Sequence, residues 1–224
     1  MHQTMEPSIL YFGTPVVLVS TLNDDGTPNL APISSVFWLG WRCVIGVGSG
    51  SQTSRNLLRE RSCVLNLPSE HEVAAVNRLA LTTGRDPVPA YKAQRGYQHV
   101  ADKFAQAGFT PQAAQCVSAP RVQECPVQLE AVLQATHGLA DDHPQLKGGA
   151  TCFELRVLRV HVAPALQMAG APDRIDPDRW RPLIMSFQQF YGLGPALQDS
   201  RLAQIPERSY RSPEVDAARL APTV

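Results

Sequence analysis

Val16-Val17-Leu18-Val19-Ser20-Thr21, then Asn23-Asp24-Asp25-Gly26-Thr27-Pro28, then Asn29 to Trp38 and Arg42 to Val47, form the stretch on which the fold turns. The first run is β-branched and almost wholly apolar, as a buried strand requires. Asp25-Gly26 marks a hairpin, because a tight reversal needs positive φ and glycine adopts it freely. Asn29 to Trp38 predicts a second strand, Leu39-Gly40-Trp41 a turn and Arg42 to Val47 a third strand. Turns this short join antiparallel neighbours, since a parallel crossover needs a dozen or more residues. The opening is therefore an antiparallel meander and not an α/β repeat.

Further along, Gly48-Ser49-Gly50-Ser51-Gln52-Thr53 leads into a short helix over Ser54 to Arg61, with Leu57 and Leu58 inward and Ser51 or Thr53 as its cap. Cys63 to Leu67 predicts a fourth strand, stopped by Pro68. The spacing of Val73, Val76, Asn77 and Ala80 predicts a helix over 70–81. Residues 82–89 are irregular, and a short helix over 101–107 carries Phe104 inward. Alternation predicts strands over 127–135 and 153–162, with a polar loop at 138–149 between them. From Pro164 onward the pattern weakens, and the last forty residues read as an arm that wraps a surface or a partner.

Composition narrows the function classes. The chain has 224 residues, enough for one domain or one with an appendage. At 44% apolar and 18% charged it buries a core. Twenty basic residues balance twenty acidic ones, which argues against a general nucleic-acid binder and a polybasic membrane-surface protein. No run of apolar residues is long enough to span a bilayer, and Met1 to Pro15 lacks the basic and apolar regions of a secretory signal. Five scattered cysteines without a C-x-x-C spacing read as reduced thiols, with the cytoplasm as the expected compartment.

The block from Val47 to Asn56 carries the most chemical information. A strand feeds a Gly/Ser turn that feeds a helix start, so amide and hydroxyl donors converge on one point. That arrangement suits a phosphate, and it also suits an ordinary capped helix. Gly46 to Ser51 nearly fits G-x-G-x-x-G, but Ser51 stands at the third glycine. The block also follows a meander rather than a strand–helix–strand unit, so a dinucleotide fingerprint is only a weak alternative. Asn29 to Trp38 sets small polar residues beside two aromatics; it can lie along a flat heteroaromatic ring or pack as a barrel strand. The six histidines are scattered, none paired at i, i+4, so no metal site is expected. No nucleophile elbow and no Walker A occurs, and the Cys125 thiol reads as structural.

Thr21 to Ser34 resembles the opening hairpin of the flavin reductase-like proteins, which have the FMN-binding split-barrel fold. Gly48 to Asn56 followed by Cys63 to Ser69 is similar to that family's phosphate turn, short helix and N-L-P strand end. Glu124 to Glu130 resembles its later strand start, and the resemblance spans roughly residues 10–165. It implies a mainly β protein with short helices, an antiparallel split β-barrel of Greek-key type, holding FMN at the interface of a homodimer. The implied division is a barrel domain over 1–165 and a C-terminal extension over 166–224, packing on the barrel or on the partner.

Carried over by residue, Ser34, Ser35, Phe37 and Trp38 border the ring and ribityl chain, joined by Asn29. Ser49, Ser51, Gln52, Thr53 and Asn56 hold the phosphate and its approach, Thr83, Gly84 and Lys92 add cofactor contacts, and His137 is the remaining carry-over. A flavin performs the electron transfer itself, so no catalytic side chain and no metal is expected. The expected activity is that of an FMN-dependent oxidoreductase moving electrons from NAD(P)H or another donor to a flavin or small acceptor. Its alternatives are an FMN-binding electron carrier or redox sensor without turnover, and a split-barrel protein that binds another ligand such as haem. Nucleic acid and membrane are not expected partners.

Overall fold

A computed structural model of the chain describes residues 1–223. Its centre is a seven-stranded antiparallel sheet. The strands are β1 (Val17–Leu22), β2 (Pro28–Ile33), β3 (Val36–Leu39), β4 (Arg42–Gly48), β5 (Ser62–Leu67), β6 (Val127–Leu139) and β7 (Ala150–Val162), in the spatial order β2-β1-β5-β6-β7-β4-β3. The long β6–β7 hairpin therefore inserts between β5 and β4.

The single strand expected over Asn29 to Trp38 is in fact two, broken at Ser34 and Ser35. Its halves form the opposite edges of the sheet. A corner of two residues spans only about 10 Å. The edges must therefore lie side by side, and the sheet curls almost into a cylinder without closing. Pro32, which offers no amide hydrogen, stands near this break and pairs with Leu18 on the inner neighbour only. The fold is the split barrel that the sequence led us to expect.

β1 is buried on both faces, which explains its unbroken apolar run. Val17 and Val19 point into the barrel with Ile45, Leu65, Leu129, Phe153 and Leu155. Val16 and Leu18 face a second cluster with Leu30, Leu79, Phe104, Val122 and Leu183. α1 (Gln52–Glu60) packs on the barrel cluster through Leu57, while α2 (Val73–Asn77) and α4 (Lys103–Ala107) cover the second cluster with Val76, Phe104 and Ala107; α3 (Ala90–Ala93), between them in the chain, buries no residue. The helix expected over 70–81 is a 3₁₀ turn at Glu70–Glu72 running into α2, and it ends at Asn77. The strands expected at 127–135 and 153–162 extend to Leu139 and back to Ala150, leaving a shorter loop between them.

The segment after 165 enters the core. Leu166 packs in the barrel cluster and Leu183 in the second. A hairpin of β8 (Leu183–Ser186) and β9 (Gln189–Gly192) pairs with Thr14–Pro15. Beyond it the chain is exposed until α5 (Pro213–Arg219), which returns to the sheet by burying Ala218 and by an ion pair of 2.5 Å between Glu214 and Arg42 of β4. Among the described residues no helix is long and apolar enough to cross a membrane.

A buried carboxylate ties the loop before β6 to the sheet. Glu130, wholly buried, accepts the amide hydrogens of Gln115 and Cys116 and lies 2.6 Å from His161 Nε2. Burial pushes its carboxyl up, but those two amides and the imidazole outweigh it and hold it below the ordinary range. Burial lowers His161, against the pull of Glu130 and with the help of the Arg121 and Arg159 charges. The pair is therefore a carboxylate beside a neutral imidazole that donates from Nε2.

Candidate functional site

A cavity of about 340 Å³ opens where β2, the start of α1 and the segment from Leu79 to Lys103 meet. Ser51 caps α1, its hydroxyl accepting the Ser54 amide at 3.0 Å. The amides of the first turn have no partner within the helix, so the positive end of α1 faces this space. Gln52 and Thr53 line it from that turn.

On the opposite wall Thr83 and Gly84 approach closely. A Cβ at Gly84 would stand 2.5 Å from Asn29 Oδ1 and 3.2 Å from Gln52 Cγ, so any larger residue there must displace the Asn29 amide. Asn29 is buried; its Nδ2 donates to Thr53 Oγ1 at 3.3 Å and to Thr21 Oγ1 at 3.4 Å. Its Oδ1 has no hydrogen-bond partner among the described residues. A buried carbonyl left this way is costly unless a ligand donor meets it.

The third wall is cationic. Lys92, Arg95 and Lys103 line the cavity together with Tyr91 and Tyr97, and no carboxylate among the described residues does. Lys92 Nζ lies 3.4 Å from Thr83 Oγ1 and 5.5 Å from the centre of the Tyr97 ring. Burial lowers its ammonium. Burial and then the charge of Lys92 push the Lys103 ammonium down to about 8. Lys103 is buried, Lys92 half-buried and Arg95 exposed, and three cations at one cavity without a carboxylate on its wall create a demand for an anion.

Of the residues singled out in the sequence, the structure brings Asn29, Ser51, Gln52, Thr53, Thr83, Gly84 and Lys92 to this cavity. The others lie outside its lining. Asn56, wholly buried, donates to Thr21 Oγ1 and Asn23 Oδ1, both at 3.0 Å, and accepts Gln52 Nε2 at 2.9 Å; it holds a residue that lines the cavity. The Ser49 hydroxyl pairs with that of Thr151 at 2.8 Å and anchors the turn to β7. Ser34 and Ser35 form the barrel corner, where the Ser35 hydroxyl meets the Tyr11 hydroxyl at 2.6 Å. Phe37 is exposed on β3, while Trp38 packs on the barrel core with its buried Nε1 unpartnered. His137 is exposed near the end of β6, opposite Cys152.

Lys103, Arg95, Tyr91 and Tyr97 were not foreseen. The signal was present: from residue 87 to residue 101 the chain has no carboxylate, while Lys92 and Arg95 stand within it. Among the described residues no group of three or more His, Cys, Asp or Glu side chains is placed to hold a metal ion.

The class these features define is an open antiparallel barrel with a cavity suited to an anion at its rim. Residues 9–194 match the family model of the flavin reductase like domain, and the chain belongs to that family. That makes it a flavin-related oxidoreductase. It is 34% identical over 190 residues to the uncharacterized protein YdfE of Bacillus subtilis, covering 85% of this chain and 88% of that one. It is similar to the crystal structure of nitrilotriacetate monooxygenase component B from Bacillus cereus, with 25% identity, a TM-score of 0.66 and coverage of 85% and 88% of the two chains. Its fold also matches the flavoredoxin of Desulfovibrio vulgaris (Miyazaki F), with 20% identity, a TM-score of 0.72 and coverage of 92% and 100%.

Proposed function

We propose that the chain binds FMN and works as a flavin reductase-type oxidoreductase, taking electrons from a reduced nicotinamide and passing them to a flavin or small acceptor. The observation that carries this reading is the cavity itself. A helix N-terminus, Lys92, Arg95 and Lys103 face it without a carboxylate, and the unpartnered Asn29 carbonyl lies at its edge. A phosphate monoester satisfies the cations and first-turn amides. A ribityl hydroxyl or ring N–H satisfies Asn29. Ser51, Gln52, Thr53, Thr83 and Lys92 would hold the phosphate end, while Asn29 and the Gly84 backbone would orient what lies beyond it. The flavin, when bound, supplies the hydride and electron chemistry.

The ring-bordering residues Ser34, Ser35, Phe37 and Trp38 fall outside the cavity lining, on the open side of the barrel corner. Phe12 and Phe187 stack edge to face at 5.1 Å, with Phe12 75% and Phe187 46% exposed, so apolar surface stands uncovered on this chain. We propose a homodimer in which this surface meets a second copy and the flavin ring lies against both subunits. The five free cysteines fit a reducing, cytoplasmic compartment. We propose a barrel domain with its flavin site over 1–165 and a C-terminal extension over 166–224 that packs on the barrel or on the partner.

The purified protein should be yellow, and the released chromophore should be FMN. NADH or NADPH should be consumed with free FMN as acceptor. A colourless protein that takes up no flavin would overturn the reading; a yellow one that oxidises neither nucleotide would make it an electron carrier or redox sensor. Light scattering should give the mass of two chains.

A further inference from the structure

Lys103 is placed against every preference of a cation. Its side chain is 3% exposed. It stands at the first position of α4, where the helix dipole is positive. It shares the cavity with Lys92, whose charge it feels, and it forms no ion pair among the described residues. The α4 cap, Asp102, spends its carboxylate on the Ala105 amide at 2.9 Å. The remaining charged and titratable groups on the cavity wall are Lys92, Arg95, Tyr91 and Tyr97, all from the 90–97 segment; β2, α1 and residues 79–84 contribute only neutral side chains. Folding alone would favour an apolar residue here, and features that break local preference point to function.

We propose that Lys103 is a specificity-determining residue: it is the cavity's second ammonium, and it makes the site select a flavin that ends in a phosphate monoester over riboflavin and over flavin adenine dinucleotide. This rests on the flavin reading above and extends it to the choice among flavins. A monoester concentrates close to two negative charges on one group near neutral pH. Each phosphate of a dinucleotide carries one, and riboflavin carries none. A pair of ammonium groups in one small cavity matches the first case. The empty cavity weakens the hold of Lys103 on its proton, and a bound dianion restores it. Binding therefore takes up a proton above about pH 8.

The test is calorimetric titration of the full chain, freed of flavin, with FMN, flavin adenine dinucleotide and riboflavin. Wild type is compared with Lys103→Met and Lys103→Arg. Loss of a buried charge-assisted contact should weaken FMN roughly 10- to 100-fold in Lys103→Met. The dinucleotide should lose less and riboflavin should be unchanged, while Lys103→Arg keeps most of the FMN affinity. Wild-type FMN affinity should fall as pH rises from 7 to 9, and Lys103→Met should lack that fall. The flavin-free Lys103→Met protein should melt no lower than wild type, because a buried uncompensated cation has been removed. Unchanged FMN affinity in Lys103→Met, an equal loss for riboflavin, or a loss for the dinucleotide as large as for FMN overturns the proposal. If wild type binds no flavin at all, the functional reading falls with it; if wild type binds FMN and only the variant pattern fails, that reading stands and the role of Lys103 does not.

Discussion

Single atoms decide whether the cavity keeps its shape. The absent Cβ of Gly84 leaves room for the Asn29 amide, whose Oδ1 faces the space a side chain would take. Gly84→Ala forces that amide or Gln52 to move. The expected result is a roughly tenfold loss of FMN affinity by fluorescence titration, with stability changed by about 1 kcal/mol or less. Equal affinity would show that Asn29 does not touch the flavin.

Glu130 works in the other direction, on stability and not on the site. Its carboxyl is held below the ordinary range, so it contributes stability above the unfolded-state value that is lost as pH falls through the folded one. His161 is kept neutral by burial, so its contribution too is lost as pH falls below the ordinary imidazole value. Both act in the same sense: urea midpoints should decline below about pH 6.5, where His161 takes up its proton less readily than in the unfolded chain, and again below about pH 4.3, where Glu130 does. Glu130→Gln puts an amide donor against the amides of Gln115 and Cys116. It should cost about 2–4 kcal/mol at pH 7 and flatten the acid decline.

At the scale of elements, α1 is both a lid on the barrel and the donor end of the site. The two roles meet in Asn56, whose amide is shared among Thr21, Asn23 and Gln52. Asn56→Leu leaves those partners unpaired in a dry place. It should lower stability by about 2–4 kcal/mol in urea unfolding and weaken FMN as Gln52 comes loose.

The helix itself was legible, since a Gly/Ser turn, a serine cap and Leu57 inward are all local signals; Leu58, also expected inward, is exposed, because neighbouring helix positions lie about 100° apart and only one of the two meets the barrel. The meander of β1 to β4 was legible for the same reason, since Asp25-Gly26 and Gly40 act within a few residues. The break at Ser34-Ser35 was not. Two serines inside a β-rich run carry no turn chemistry of their own, and the bend is set by which strands pair far away. Asn56 was carried over from the family resemblance as a contact on the approach to the phosphate; that its amide meets Thr21, Asn23 and Gln52 depends on a neighbouring hairpin and shows only in three dimensions. Lys103 escaped notice because a lysine beside an inward Phe104 has the same local pattern as a solvated one. Only the fold around it reveals the missing counter-ion.

For the molecule as a whole, the parts of the chain after the barrel behave differently from one another. β8 and β9 close the second core cluster through Leu183, and Val16 donates its amide to the Leu183 carbonyl at 2.8 Å. From Pro195 on the chain contributes no residue to the cavity lining and leaves Leu197, Leu202 and Tyr210 exposed. A chain ending at Gly194 should therefore stay folded and bind FMN within about threefold of the full protein, well under 1.4 kcal/mol in free energy. A much larger loss, seen by fluorescence titration, would mean that this arm reaches the flavin of a partner subunit.

The insertion of the β6–β7 hairpin between β5 and β4 also sets the order in which the molecule can be assembled. When the ribosome has released residue 67, two ribbons can exist: β2-β1-β5, and β3-β4. Each has one long edge whose partner is not yet made. Those edges are joined only once residue 162 has emerged, because the piece that bridges them is a single hairpin encoded well downstream. The pairings of Leu129 with Leu65 and of Phe153 with Ile45 span long stretches of chain, which is the topology of a slow folder. During synthesis the nascent chain thus carries two open β edges through much of its length. The window for misassociation closes late and in one step, when the hairpin docks as a wedge between them.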